Sequence, residues 1–302
     1  MKKLLIILLA FTFVLSLSAC SGSMGDVNDK APVNEATDDK SKDAKNEKDN
    51  VNNTKITIEE KVIYDENDIK VTVKGLNIEA SFGPEIELLI ENNSNKNITV
   101  QAGYSSINGM MIDNMFSSDV ATGKKSNSTI GFFTADLELA GITTIKEIEF
   151  SLNVIDSDTW DSIVESDMIT LTTSADASYK QTYDDTGYVA YDSDGIKVVV
   201  KKLNSSESFW GSDVYLYMEN NTKNNITVQS SDVSINGFMV DPIFSTDIIA
   251  GKKAIDTMTF MESDLTDNGV TDITELEFKL HIFDLESWDT IMDSDTIKVS
   301  FQ

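Results

Sequence analysis

One feature constrains this chain more than any other: it repeats itself at a spacing of about 128 residues. Tyr64-Asp65 returns as Tyr191-Asp192, and Ile69-Lys70-Val71 as Ile196-Lys197-Val198. Glu91-Asn92-Asn93 followed by Asn97-Ile98-Thr99-Val100-Gln101 returns as Glu219-Asn220-Asn221 followed by Asn225-Ile226-Thr227-Val228-Gln229. Ser106-Ile107-Asn108-Gly109, Gly123-Lys124-Lys125 and Trp160-Asp161 return as Ser234-Ile235-Asn236-Gly237, Gly251-Lys252-Lys253 and Trp288-Asp289. The register slips by one residue near Phe82, where the second copy reads Phe209-Trp210. A stacked solenoid repeats every roughly 20–50 residues. A period this long therefore describes two domain-sized units.

Each unit has the two-residue alternation of half-buried strands. Ile86, Leu88 and Ile90 alternate with Glu85, Glu87 and Glu91, and Phe150, Leu152 and Val154 alternate with Glu149, Ser151 and Asn153. Asn108-Gly109 and Asn236-Gly237 are hairpin signals, because a type I′ turn needs positive φ at both central residues. A short helix is expected near Ala135–Ala140 and again near Ser263–Thr266. The expected fold class is all-β: two tandem immunoglobulin-like β-sandwiches. The boundaries read as 56–175 for the first, 176–187 for a linker and 188–302 for the second.

Ahead of the first copy lie two segments of different composition. Lys2 and Lys3 precede an apolar run from Leu4 to Leu15 that is too short to span a membrane. It ends in Leu17-Ser18-Ala19-Cys20, which resembles the lipobox of bacterial lipoprotein signal peptides. The resemblance implies cleavage after residue 19, diacylglycerol and palmitate on Cys20, and a protein held at the extracytoplasmic face of the cell membrane. Two acyl chains give stable anchoring where one gives marginal binding. Residues 20–55 are almost free of apolar side chains and read as a disordered tether.

The strand ending Glu91-Asn92-Asn93-Ser94, the Gly-Lys-Lys turn and the Phe-bearing strand after it (Phe132, Phe260) resemble a family of uncharacterised tandem-repeat lipoproteins of low-GC Gram-positive bacteria. That family is similar to immunoprotective-antigen-type immunoglobulin-like sandwiches. The resemblance implies the sandwich fold and a surface location, and it carries no catalytic residues.

Charge narrows the partners. The chain carries a formal charge of −27, its 24 basic residues are all Lys, and loss of Lys2 and Lys3 with the leader deepens the charge to −29. Such a chain repels phosphate backbones and lacks the guanidinium fork that reads them, which argues against nucleic acid. Cys20 is the single Cys, so no intramolecular disulfide forms. His281 is the single His, sits on the outward phase of its strand and has Asn153 as its counterpart, which gives no duplicated catalytic constellation. The expectation is a non-enzymatic binding or structural module. A wall-polysaccharide-binding lipoprotein and a hydrolase using paired carboxylates are the alternatives.

Three sets of residues are candidates for a site. Asp156, Asp158 and Asp161, matched by Asp284, Glu286 and Asp289, offer hard oxygen ligands suited to Ca²⁺. The EF-hand spacing and its Gly are missing, so a solvated acidic face is the expectation and no cofactor is required. Trp210, Tyr215 and Tyr217 form an aromatic set on the phase away from their own core; burial under a neighbouring strand or against the first domain is the expectation, and stacking on wall sugars is the alternative. Met111 and Met239 follow the Asn-Gly turns on the phase shared with Asp113 and Asp241, which makes them exposed or at a rim: ordinary surface residues by expectation, with a partner surface as the alternative. Trp160 and Trp288 are expected to anchor the cores.

Overall fold

The computed structural model describes residues 56–204 and 211–301. The leader at 1–19, Cys20, the tether at 20–55 and Trp210 lie outside the described residues. In the first copy the chain forms β1 (Lys61–Glu66), β2 (Ile69–Asn77), β3 (Glu85–Asn92), β4 (Ile98–Ile107), β5 (Met110–Met111), β6 (Asn114–Met115), β7 (Ser117–Val120), β8 (Lys124–Phe132), α1 (Thr134–Leu139), β9 (Glu147–Asp156), β10 (Ser162–Glu165) and β11 (Ile169–Thr172). The second copy forms β12 (Tyr188–Ser193), β13 (Ile196–Asn204), β14 (Gly211–Asn220), β15 (Ile226–Ile235), β16 (Phe238–Met239), β17 (Ser245–Ile248), β18 (Lys253–Met261), α2 (Glu262–Asp267), β19 (Glu275–Asp284), β20 (Thr290–Asp293) and β21 (Ile297–Ser300).

Each copy is a sandwich of two antiparallel sheets. In the first, β1-β2-β3-β8-β6 faces β4 and β9, which carry β5, β7, β10 and β11 at their sides. The alternation read from the sequence is what closes it. Ile86, Leu88 and Ile90 on β3 meet Phe150, Leu152 and Val154 on β9, all fully buried. A Leu, Ile or Phe side chain buried this way contributes about 1.5–3 kcal/mol.

Two repeated asparagines turn out to be latches. Asn92 is fully buried at the end of β3 and donates through Nδ2 to the carbonyls of Lys96 and Val120, both at 2.8 Å. Asn220 donates in the same way to Asn224 and Ile248. Asn108, at φ 53° in the hairpin turn, accepts through Oδ1 from the amides of Lys146 and Glu147 at 2.9 and 3.1 Å. It thereby ties the hairpin to the start of β9. Asn236 makes the equivalent bonds to Thr274 and Glu275, both at 3.0 Å.

The copies do not sit as separate beads. β5 runs parallel to β18 at Met110 and Lys253, which joins the second sheet of the first copy to the first sheet of the second copy in one ten-stranded sheet. The described residues of both copies belong to one compact unit. Val199 and Tyr217, from the second copy, are buried within the hydrophobic core of the first.

Candidate functional site

The joint between the copies begins with backbone geometry. On the β14–β18 ladder the Asn220 amide donates to the Lys252 carbonyl at 2.9 Å. Hydrogen-bonded and non-bonded pairs alternate along an antiparallel ladder, so the adjacent Glu219–Lys253 pair turns the Lys253 amide away from β14. That amide donates to the Gly109 carbonyl at 3.0 Å, seating the first copy's Asn-Gly hairpin on the edge of β18. Around this bond Tyr183 donates its hydroxyl to the Asn108 carbonyl and Tyr104 donates to Asp247, each at 3.0 Å, and Lys252 forms an ion pair with Glu149. The connecting segment is pinned to the second copy by Lys201 on Asp184 at 2.9 Å and Lys197 on Asp185 at 2.5 Å.

A cleft of about 770 Å³ opens beside this joint. Tyr104, Met111 and Asp113 line it from the first copy's hairpin region, Asp136 and Leu139 from α1, and Tyr215 and Asp256 from the second copy. Among the described residues, every charged side chain lining it is a carboxylate: Asp113, Asp136, Glu138, Asp247 and Asp256. Burial pushes the Asp136 carboxyl up, and the Asp113 charge adds to it. Burial also pushes Asp256 up; hydrogen bonds from Thr246 and the Thr257 amide pull it back, and Asp113 again opposes ionisation. Burial, then the bond to Asp247, pushes the Tyr104 phenol up to about 12. The cleft thus concentrates negative charge that a cation would relieve.

The residues nominated from sequence are scattered around this site. Met239 is 66% exposed, on the wet face, but its counterpart Met111 is half-buried and packs on the core of the second copy. Phe238, on the opposite phase, is 46% exposed, while Val240 on that same phase is buried. Tyr215 lines the cleft with Lys202 over its ring at 5.0 Å. Tyr217 does not face solvent: it is 1% exposed, and its hydroxyl donates to Glu219 at 2.7 Å. Strand phase correctly turns Tyr217 away from its own core, and the first copy covers the face it turns to. Glu219 in turn is opposed by burial, but hydrogen bonds from Lys253, Tyr217 and Asn221 outweigh that and hold its carboxyl down at about 2.

The acidic turns are internally engaged. Asp156 accepts from the Asp158 and Thr159 amides at 3.0 and 3.3 Å and from Lys96 at 2.9 Å, and Asp284 accepts from the Glu286 and Ser287 amides. Asp158, Asp161, Glu286 and Asp289 are exposed. Among the described residues no three acidic, His or Cys side chains are grouped to hold a metal. His281 is half-buried and its Nδ1 lies 2.6 Å from Asp293.

Trp160 and Trp288 overturn the expectation that they anchor the cores. Both are 72% exposed at the turns after β9 and β19, and both have φ 63°. The other non-glycine residues at positive φ among the described residues are all Asn or Asp. The left-handed region costs about 1–3 kcal/mol for a bulky residue and is tolerated by Asn and Asp. Ring size alone suggested burial. The signal that would have corrected it is the position of each Trp inside a run of Asp, Ser and Thr, which is turn chemistry.

No protein-family model matches the chain, and no curated protein matches its sequence. Among solved structures the chain is similar to the YadV chaperone, with a TM-score of 0.22, 12% identity, 72% of this chain covered and 92% of that one. It is similar also to the Salmonella enterica SafA pilin in complex with the SafB chaperone, with a TM-score of 0.20, 12% identity, 72% of this chain covered and 89% of that one.

Proposed function

We propose that this chain is a lipid-anchored, extracytoplasmic binding module, held to the membrane through Cys20, whose two docked sandwiches present the inter-copy cleft to a positively charged partner segment. The observation that carries this reading is the joint. A hairpin of one copy seated on a strand edge of the other fixes the cleft walls relative to each other, and preorganised walls bind without an ordering cost. The charge of the cleft selects the partner's sign: among the described residues its charged lining side chains are all carboxylates, and Asp113 sits close enough to disfavour ionisation of both Asp136 and Asp256. Tyr104, Tyr215 and Leu139 supply apolar surface for the aliphatic stems of Lys or Arg. The chain acts by holding a partner, with no chemical step.

Calorimetric titration of the full chain with a lysine decamer tests this. The expected result is saturable binding that weakens with salt and falls about tenfold or more when Asp113→Asn and Asp136→Asn are combined. Two charges of −27 change little in the overall field, so a loss of that size marks the cleft. Equal binding by the double variant contradicts it. For the anchor, Cys20→Ala should release the chain from membranes or leave it unprocessed, and full retention of a processed variant contradicts that part.

A further inference from the structure

Trp160 and Trp288 share a costly arrangement that the hydrogen bonds of their turns do not require. Each indole is 72% exposed on a backbone held at φ 63°, a conformation that this chain otherwise gives, among its described non-glycine residues, to Asn and Asp. The turn itself is built without the ring. The Trp160 amide donates to the Asp156 carbonyl at 2.8 Å and the Asp156 amide donates to the Asp161 carbonyl at 2.9 Å; Trp288, Asp284 and Asp289 repeat this at 2.9 Å. Asn or Gly would serve these bonds with less strain. In the second copy the indole stacks on Phe283, with centroids 5.5 Å apart and planes 17° from parallel, which leaves its other face to solvent.

We propose that Trp160 and Trp288 are twin stacking platforms for a neutral or amino-sugar glycan, one at the tip of each sandwich. An indole offers a flat apolar face to the C–H face of a pyranose. Around each ring stand groups that bond sugar hydroxyls: Asp158, Thr159 and Asp161 in the first copy, Glu286, Ser287 and Asp289 in the second, all exposed. The same carboxylates repel uronic acids, phosphodiester polymers and anionic lipid surfaces. Two platforms on one rigid body act together on a long polymer and separately on a short one. The proposal keeps the reading of the chain as a surface binding module and makes no use of the cleft.

The test is titration of the full chain with an N-acetylglucosamine hexamer, a glucosamine hexamer and a linear glucan, with polygalacturonate and phosphatidylcholine vesicles as controls. The expected result is saturable binding of at least one of the three sugars at two sites per chain, falling to one site in Trp160→Asn or Trp288→Asn and to none in the double variant. On a long polymer of the bound sugar each single variant loses at least tenfold in affinity. Asn keeps the turn, so melting temperatures should hold or rise, which separates lost binding from lost fold. Asp113→Asn with Asp136→Asn should leave sugar binding unchanged, so failure here and failure of the cleft reading are distinguishable. No saturable sugar binding, equal binding by the double Trp variant, or Trp-dependent binding to the vesicles alone overturns the proposal.

Discussion

Two hairpins of nearly the same sequence have opposite surroundings in this molecule. The first, at Asn108-Gly109, buries Met110 completely and gives its Gly109 carbonyl to the Lys253 amide. The second, at Asn236-Gly237, leaves Phe238 and Met239 exposed at 46% and 66%. The difference lies in what each copy offers as an acceptor. Along one row of the second copy's sheet stand Val199, Tyr217 and Ile255, paired across β13, β14 and β18. The matching row of the first copy is Thr72, Leu89 and Asn127. The Tyr104–Asp247 bond has no counterpart either, because the equivalent residues are Asp232 and Asp119. A head-to-tail contact that does not close on itself propagates into filaments. The acceptor row that receives the first hairpin is not reproduced on the first copy.

That contrast can be broken at its centre. Met110→Ala should cost about 2–5 kcal/mol, as large-to-small core changes do, whereas Phe238→Ala at the other hairpin should stay within about 0.5 kcal/mol. Urea unfolding of both variants measures the pair, and equal losses would mean that the first hairpin is not docked in solution.

Glu219 gives the next largest effect. Glu219→Gln weakens charge-assisted bonds from Lys253, Tyr217 and Asn221 and should cost about 2 kcal/mol at pH 7. The sign with pH follows from its lowered pKa. The folded state binds a proton less readily than the unfolded one, so the contribution is present above pH 4.5 and is lost as pH falls towards about 2. Stability of the Gln variant should therefore lose less than the parent over that window. Glu91, bound by Lys125 on an exposed edge, should show a smaller change in the same experiment.

Lys252→Ala sharpens the comparison further. Its ion pair with Glu149 is about 15% exposed on either side, so removal should cost about 1–2 kcal/mol, between the surface and buried cases. Lys124, the equivalent residue on the first copy, should tolerate Ala within about 0.5 kcal/mol. Asp113→Asn is the smallest effect and has the opposite sign. It relieves repulsion of Asp136 and Asp256 and should stabilise the chain by a few tenths of a kcal/mol at pH 7. Both partners have raised pKa values, so they take up protons readily on acidification, and the gain should fade as pH falls. Thermal melts at pH 7 and pH 3 read both predictions.

Much of each sandwich is legible in the sequence because strand phase is local. The alternation at Ile86–Ile90 and Phe150–Val154, the two Asn-Gly turns and the single short helix per copy depend only on near neighbours. The site is legible in a weaker sense. Phase places Tyr217 outside its own core, but phase names a face without naming what covers it, and the cover comes from the core of the other copy. Of the cleft acids, Asp256 stands more than a hundred residues from Asp113 and Asp136 in sequence, and the joint brings it to them. Trp160 and Trp288 were misplaced for the converse reason: residue type spoke for burial while the local turn dictated exposure.

The joint itself can be read at two backbone amides. Lys253 and Lys125 occupy equivalent positions on β18 and β8, and the ladder register turns both amides outward. Among the described residues, β5 pairs with the outer edge of β18 at Lys253, whereas on the outer edge of β8 the strand β6 pairs at Gly131 and Phe132 and not at Lys125. Hydrogen exchange of the full chain, resolved to single amides, should show Lys253 protected to the level of the β14–β18 ladder and Lys125 exchanging fast. Fast exchange at both amides would contradict the docked joint on which the fixed cleft depends.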